Sequence, residues 1–461
     1  MVELVLSIPN NAPGATAVQH LAASGVVDLG VKYQLSLSNR LAGLESSSRL
    51  ASLDHSFHLV EVPDGGEVGA INRIVRWHNG EGEPRSLHGR VDAAEPNLTF
   101  RPSATLGCPF KLGGLHQQYL QLMNVGDAHQ AGIKGKDIRV AVVDSGADPG
   151  SVLLDDFYDV EGGNPIHPAS QIDNDGHGTA MATLVRKVAP EATIIGIRVF
   201  DQDTLNLWNV LAGTGTAIFD CHADIVSISL GYAQMPAQCL ACGASAQSRS
   251  LAFQYLLDGV TRSPGKRGTP PIYVAATGND YSSAGFNYPA AYDSAVAIGS
   301  VTSALVRSAF SNYGKSAAKY FFMAPGGEEN LLGSVTEDVG SGGLSPCRGT
   351  SVATAYASGM LAVLWSDARY RGQAPDVFLA NVRQYDRLPL PQGNPDPHQY
   401  GSGLIQYPKP PGAAIFETQE DIKLLKALKL LKRKEPSQVR FEGDTVIIGG
   451  VRVPVNRGER E

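Results

Sequence analysis

The central and later parts of the chain alternate short apolar runs, rich in β-branched residues, with longer amphipathic stretches. The apolar runs are Ile138 to Val143, Thr193 to Val199, Ile225 to Ser229, Ile272 to Ala276 and Ala295 to Val301. Runs of this length predict buried parallel strands, and the stretches between them are long enough for crossover helices. The pattern therefore predicts an α/β fold with a doubly wound, mainly parallel sheet flanked by helices.

The first hundred residues follow a different pattern. Apolar alternation predicts strands at Glu3 to Ile8, Val31 to Leu37 and His58 to Val62, and a helix at Glu67 to Trp77. We therefore expect a small α+β domain over residues 1–105. The segment from Arg101 to Gly114 is rich in Pro and Gly and predicts a linker to a larger domain over residues 115–410.

A short C-terminal extension is predicted over residues 411–461. Asp421 to Lys434 is an amphipathic Leu/Lys pattern that predicts a helix, and Val439 to Val455 predicts a two-stranded hairpin turning at Gly449-Gly450. The apolar side of the helix is expected to dock on the body of the protein. Contact with a membrane or a partner is the alternative interpretation.

Composition narrows the class of protein. The 461 residues are 43% hydrophobic and 18% charged, which is typical of a soluble globular chain of two or three domains. The formal net charge of −7 gives no reason to expect binding to nucleic acid or to an anionic membrane, so a protein or peptide partner is expected. No apolar stretch approaches the roughly 20 residues of a membrane span. The N-terminal apolar run is interrupted by Glu3 and does not resemble a secretory signal, so a cytoplasmic location is expected.

The five cysteines do not resemble a disulfide framework. Cys239 and Cys242 have the spacing of a zinc or redox pair, but a closed zinc site needs four ligands and no second pair is evident. A reducible disulfide between them is the second alternative.

Three separate motifs contain the residue types of serine-based acyl transfer, which needs a nucleophile, a base and a carboxylate that orients the base. Asp144 ends an apolar run and is followed by Ser-Gly. His177 lies between two glycines at the start of a predicted helix, and Ser351 opens another helix of small residues. Taken alone, each motif has an ordinary structural reading, as a turn, a structural or calcium-binding loop, and a helix cap.

Together the motifs resemble those of the subtilase family. Asp144-Ser-Gly matches D-[ST]-G, the segment 173–179 matches D-x-D-G-H-G-T, and Gly349 to Ala353 matches G-T-S-M-A with Val for Met. The chain order Asp, His, Ser is that of subtilisin. Further similar segments extend the resemblance over about residues 115–406.

The resemblance implies a serine endopeptidase. Ser351 would be the nucleophile, His177 its general base and Asp144 the residue that orients the base. Asn279, in Val274 to Asn279, would donate to the oxyanion. The segment Ser229, Leu230, Gly231 would pair with an extended peptide substrate, and Ala275, Ala276, Thr277 and Gly278 would line the pocket for the residue before the cleaved bond.

Val91 to Asn97 also resembles the end of a subtilase prodomain, and the segments at 119–122 and 132–135 resemble the start of the mature enzyme. This implies a zymogen in which the first domain inhibits the enzyme. A permanent non-catalytic domain is the alternative. The family's chemistry needs no cofactor, and no metal ligand is assigned. A structural calcium ion is left open without a site, because the link from Thr179 to Val188 lacks the longer calcium-binding loop that secreted relatives carry there.

Two other functions remain open at this point. A peptide-binding pseudoprotease would keep the fold without turnover, and a transpeptidase or macrocyclase would let an amine, instead of water, capture the acyl-enzyme. The presence of all four catalytic residue types disfavours the first. The sequence does not decide between water and an amine.

Overall fold

The structure, a computed structural model, describes most of the central part of the chain and shorter segments at both ends. The described residues are 2–9, 30–35, 55–62, 93–97, 100–102, 114–161, 164–168, 170–201, 205–232, 250–262, 269–316, 318–327, 348–391, 396–408, 439–442, 445–448 and 451–454. They form two compact units, Met1–Tyr407 and Pro408–Glu461. The helices predicted at Glu67 to Trp77 and Asp421 to Lys434, and the pair Cys239 and Cys242, lie outside the described residues.

The N-terminal residues form a four-stranded antiparallel sheet in the order β2-β3-β1-β4. Its strands are β1 (Val2–Pro9), β2 (Gly30–Leu35), β3 (His55–Val62) and β4 (Ala93–Pro96). One face carries the buried side chains Val5, Phe57 and Leu59. A further short strand, β5 (Arg101–Pro102), pairs elsewhere. The predicted linker therefore begins with two residues in β-structure.

The first unit is built around a ten-stranded sheet in the order β15-β16-β14-β13-β12-β10-β6-β9-β7-β8. Eight central strands are parallel, and β8 and β15 at the two edges are antiparallel to their neighbours. This confirms the predicted doubly wound, mainly parallel sheet. The strands are β6 (Arg139–Asp144), β7 (Asp156–Glu161), β8 (Asn164–Ile166), β9 (Thr193–Arg198), β10 (Ile225–Ile228), β12 (Ile272–Ala276), β13 (Ala295–Val301), β14 (Tyr320–Pro325), β15 (Arg387–Leu388) and β16 (Leu404–Ile405).

Helices cover both faces of this sheet. They are α1 (Gly114–Leu122), α2 (Val125–Gln130), α3 (His177–Val188), α4 (Leu207–Phe219), α5 (Leu251–Arg262), α6 (Thr350–Ser366), α7 (Pro375–Tyr385) and α8 (Pro397–Tyr400). No helix in the described part of the chain is long and apolar enough to cross a membrane.

The chain reverses its direction of travel across the sheet between β6 and β10. From β6 it builds β7, β8 and β9 on one side, then crosses to β10 and adds β12, β13 and β14 on the other. Loops beyond the carboxyl ends of strands at such a switch point form a crevice, which is where sites of α/β proteins are found. Asp144 ends β6 and Ser229 follows β10, so both lie at this crevice.

Two apolar cores hold the sheet between its helices. One core contains residues of α3, α6 and the sheet face beneath them. Helix α6 carries no charged residue and is buried along its whole length. Gly359 allows its close contact with α3, because a Cβ at position 359 would lie 2.7 Å from the Cβ of Val188.

The second core joins α4 and α5 to the other face of the sheet, and it also takes in the N-terminal residues Val5, Phe57 and Leu59. The N-terminal sheet contacts α5 through β1 and β4. Residues before position 114 are therefore part of the same compact unit as the large sheet. The division into separate domains at 1–105 and 115–410 stays a prediction.

The second unit contains a three-stranded antiparallel sheet of β17 (Val439–Glu442), β18 (Thr445–Ile448) and β19 (Val451–Pro454). Ile448 pairs with Val451, so β18 and β19 pair as the predicted hairpin requires, and the predicted turn at Gly449-Gly450 lies outside the described residues. The prediction of two strands was wrong, because Val439 to Glu442 forms a third strand that pairs antiparallel with β18.

Candidate active site

Asp144 and His177 form a buried hydrogen-bonded pair. Asp144 ends the central strand β6, and its Oδ1 accepts from Nδ1 of His177 at 2.7 Å and from the main-chain N–H of Ser145 at 2.8 Å. The side chains of Asp144 and His177 are 1% and 0% exposed. A carboxylate can only accept, so the proton of this bond lies on Nδ1 and Nε2 is the basic nitrogen of the ring.

A second carboxylate holds the start of helix α3, where His177 is the first residue. Asp173 accepts the N–H groups of Asp175, Gly176 and Thr179, and also the Thr179 hydroxyl. Gly176, the N-cap, has φ 91°, a conformation that favours glycine. Because the first N–H groups of a helix have no partner within it, this carboxylate stabilises the turn that places the imidazole.

Charges around His177 favour its protonation. Burial by itself disfavours the imidazolium, but the carboxylates of Asp144, Asp175 and Asp173 outweigh burial and raise the pKa of His177 above its usual value. Nε2 of His177 is buried and has no hydrogen-bond partner among the residues that the structure describes. A buried, unpartnered basic nitrogen of this kind can accept a proton.

Ser351 lies in the first turn of helix α6, which packs against α3. Its side chain is fully buried, and its hydroxyl donates to the main-chain carbonyl of Ser229 at 2.8 Å. The Ser229 hydroxyl in turn donates to the carbonyl of Ser351 at 3.2 Å. The structure therefore joins Ser351 to the end of β10 by a hydrogen bond, and it joins Asp144 to His177 by another.

Asn279 follows β12 and is fixed by the residue before Ser351. Its Oδ1 accepts from both the N–H and the hydroxyl of Thr350, each at 2.9 Å. The Thr350 hydroxyl also accepts from the N–H of Gly278 at 3.2 Å. The orientation of the Asn279 amide is thereby defined, with its acceptor end towards the start of α6. Sequence reasoning missed this role of Thr350, although Thr350 stands inside the Gly-Thr-Ser motif.

The predicted peptide-binding strand is occupied by the chain itself. Leu230 and Gly231 form strand β11, which pairs antiparallel with β5, so that Leu230 lies opposite Pro102 and Gly231 opposite Arg101. Sequence reasoning missed this pairing because it read Arg101 as the first residue of a linker.

Phe100, next to this strand, is anchored in an aromatic pocket. Its ring is 2% exposed and lies 4.9 Å from that of Tyr232, edge to face, and 6.4 Å from that of Phe253. Its N–H donates to the carbonyl of Leu205 at 3.1 Å. Residues 100–102 are thus held on two sides by main-chain hydrogen bonding and by one buried side chain.

The remaining predicted site residues lie at the end of β12 beside Asn279. Ala275, Ala276, Thr277 and Gly278 are all buried. The structure places them next to the candidate site, and their role as a specificity pocket stays a prediction. In the described ranges, no group of three or more His, Cys, Asp or Glu side chains is arranged to hold a metal ion.

Comparison with known proteins gives a consistent result. The model of the subtilase family matches residues 135–384, more than half of the chain. The minor extracellular protease Epr of Bacillus subtilis is 30% identical over 303 residues, which are 63% of this chain and 41% of that protein. Subtilisin NAT of B. subtilis subsp. natto is 26% identical over 56% of this chain and 65% of its own length. The chain thus spans 41% of the length of the first relative and 65% of the length of the second.

A solved structure shares the fold. The crystal structure of an epidermin leader peptide processing serine protease from Staphylococcus aureus aligns with a TM-score of 0.59 and 17% identity. The alignment covers 94% of this chain and all of that one.

Proposed function

Because the chain belongs to the subtilase family, we propose that it is a serine endopeptidase that cleaves protein or peptide substrates through an acyl-enzyme on Ser351. The observation that carries the proposal is the buried 2.7 Å hydrogen bond from His177 Nδ1 to Asp144. It fixes the tautomer in which Nε2 is the base. This nitrogen is buried, and helix α3, which His177 begins, packs against the helix of Ser351.

In the proposed reaction, the Ser351 hydroxyl first leaves the carbonyl of Ser229 by rotation about its Cα–Cβ bond. Its oxygen attacks the peptide carbonyl carbon while Nε2 of His177 takes its proton. The imidazolium then gives this proton to the leaving amine, and an ester to Ser351 remains. Water, deprotonated by His177, cleaves the ester and regenerates the hydroxyl.

Two donors are proposed for the oxyanion of the tetrahedral intermediate, namely Nδ2 of Asn279 and the main-chain N–H of Ser351. Thr350 binds the Oδ1 end of the Asn279 amide, which supports the use of the Nδ2 end for this purpose. Donors that are already oriented stabilise the developing charge without the cost of reorganisation.

Labelling with a fluorophosphonate probe tests the nucleophile. We expect the processed wild-type protein to be labelled and Ser351→Ala not to be labelled, with mass spectrometry placing the adduct on Ser351. Equal labelling of both proteins, or none of either, would contradict the proposal. Incubation with a peptide library would then show whether the products arise by hydrolysis or by transfer to an amine.

We further propose that the N-terminal region inhibits the site until it is cleaved. The pairing of β5 with β11 supports this, because an added antiparallel strand is how an extended peptide binds a sheet edge. The register runs from Gly231 opposite Arg101 to Leu230 opposite Pro102, and so towards Ser229, whose carbonyl accepts from Ser351. The chain itself would then be the first substrate.

Intact-mass measurement tests this second proposal. We expect the wild-type chain to cut itself at a bond within residues 103–113, and Ser351→Ala to stay intact under the same conditions. Cleavage of Ser351→Ala at that bond would assign the cut to another protease. A wild-type chain that is fully active without any cut would show that the N-terminal region is no inhibitor.

A further inference from the structure

Asn312 lies outside the catalytic motifs, yet its side chain bridges the loop that carries Asn279. It is 1% exposed. Its Oδ1 accepts from the N–H of Asp280 at 2.9 Å and from the N–H of Ser282 at 3.1 Å. Its Nδ2 donates to the carbonyl of Thr277 at 3.1 Å. One amide thus binds the main chain on both sides of Asn279.

The same side chain also reaches the carboxylate that follows Asn279. Nδ2 of Asn312 donates to Oδ2 of Asp280 at 2.9 Å, and Nδ2 of Asn287 donates to the same oxygen at 2.8 Å. Asn312 Nδ2 also lies 3.4 Å from Oδ1 of Asn287. The Asp280 side chain therefore depends on two amide donors for its position.

Main-chain hydrogen bonds join the loop at 278–282, which carries Asn279, to the segment at 310–313, which carries Asn312. Asn312 donates its N–H to Gly278, Tyr281 donates to Phe310 and Tyr313 donates to Ser282, at 2.9 to 3.1 Å. The approach is close enough that a Cβ at Gly278, which has φ 104°, would collide with the side-chain amides of Asn312 and Asn287.

We infer that Asn312 is a positioning residue for Asn279, acting through the 277–282 loop; this inference rests on the proposed function. Thr350 fixes only the Oδ1 end of the Asn279 amide, whereas Asn312 fixes the backbone from which that side chain projects. The role needs one acceptor and one donor on a planar group. Oδ1 accepts from two N–H groups, while Nδ2 donates to a carbonyl and to a carboxylate. Rotating the amide so that the two ends exchange places would therefore break all four hydrogen bonds.

Asn312→Asp is the discriminating variant, because it keeps shape and the acceptor but replaces the donor with a charged oxygen beside Asp280. We expect kcat to fall by about 10- to 100-fold with KM nearly unchanged, since a small displacement of a catalytic group costs this much. Adding Asp280→Asn removes the repulsion between carboxylates and supplies a donor. The double variant should therefore recover part of the lost kcat, while the loss of the donor to the Thr277 carbonyl remains.

Asn381→Asp on helix α7 is the matched control, because in the described part of the chain its amide binds only the side chain of Gln373. It should keep wild-type kcat. If Asn312→Asp does not fold, Asp280→Ala tests the same network from its exposed side and should also lower kcat more than it changes KM.

The outcomes separate this inference from the proposed function. If fluorophosphonate does not label the wild-type protein, the proposed endopeptidase activity is itself excluded. Labelled wild type together with an Asn312→Asp variant of unchanged kcat would overturn only the role of Asn312. A double variant as slow as Asn312→Asp would also overturn it, because a general packing defect is not repaired by a change at Asp280.

Discussion

The hydroxyl of Ser351 donates to the carbonyl of Ser229 at 2.8 Å, which ties the proposed nucleophile to the residue just before strand β11. A substrate peptide that pairs with β11, as proposed, would therefore lie beside the hydroxyl. Catalytic hydrogen bonds are often completed only when substrate is bound, so the present arrangement is compatible with transfer of the Ser351 proton to His177 during attack.

Asp144→Asn should lower kcat by about 10⁴-fold while leaving the fold intact. An amide at position 144 can donate to Nδ1 of His177, which would move the ring proton to Nε2 and remove the base. Steady-state kinetics with a peptide substrate measures the effect. Asp148→Asn, in the loop after the same strand, changes a side chain that binds the Ser151 hydroxyl and should be neutral. An Asp144→Asn variant that keeps most of its kcat would argue against the assigned tautomer.

Asn279→Ala should lower kcat by about 10²- to 10³-fold, roughly 3 kcal/mol, the cost known for the oxyanion-hole asparagine of a subtilisin. KM should change little, because this donor is proposed to act mainly in the transition state. Thermal unfolding should shift down modestly, by about 1 kcal/mol, since the change also removes the acceptor of the buried Thr350 N–H and hydroxyl. Asn381→Ala serves as the control. Equal turnover of Asn279→Ala and wild type would exclude Asn279 from the mechanism.

The pH dependence of kcat/KM should report His177. Burial disfavours its charged form, but Asp144, Asp175 and Asp173 raise its pKa, and the protonated ring cannot act as a base. Activity should therefore fall as pH falls through this pKa, above the usual value of about 6.5. Asp175→Asn keeps the acceptor for the His177 N–H but removes a negative charge. It should move the acid limb to lower pH.

One control variant sharpens the pH experiment. Asp376 lies on helix α7, and its exposed carboxylate pairs with Lys319. Asp376→Asn should not move the acid limb of the pH profile. The contribution of His177 to the free energy of unfolding also has a defined sign. Since the pKa of His177 is raised on folding, its protonation stabilises the protein below the unfolded pKa, and this contribution is lost as pH rises through the folded pKa. An acid limb shifted upward by Asp175→Asn would contradict the assignment.

Phe100→Ala should weaken inhibition by the N-terminal region. Burial of this ring between Tyr232 and Phe253 anchors residues 100–102, and removal of a buried Phe costs about 3–5 kcal/mol. The full-length variant should hydrolyse a short peptide with a shorter lag than wild type, and Phe100→Leu should lie between them. The measurement is a progress curve with intact mass taken at each time point. Identical lags in all three proteins would show that this anchor does not limit activation.

The regular elements of the large sheet were predictable because their signals are local. Ile272–Ala276 and Ala295–Val301 have the predicted bounds, and β6 differs by one residue at each end. Buried parallel strands appear as continuous apolar runs, so composition over a few residues identifies them. The third strand of the C-terminal sheet was missed because Val439 to Glu442 is short and alternates with polar residues, a pattern that a loop also allows.

By itself, the sequence determined the fold class, the family and the identity of the candidate triad, because these depend on short motifs and on periodicity along the chain. Only the tertiary structure decided which groups meet. Ser351 and Ser229 are 122 positions apart, Thr350 and Asn279 are 71 apart, and Asn312 reaches Asp280 across 32. Hydrogen-bond partners at such separations are set by how strands and helices pack, and no local pattern encodes that packing.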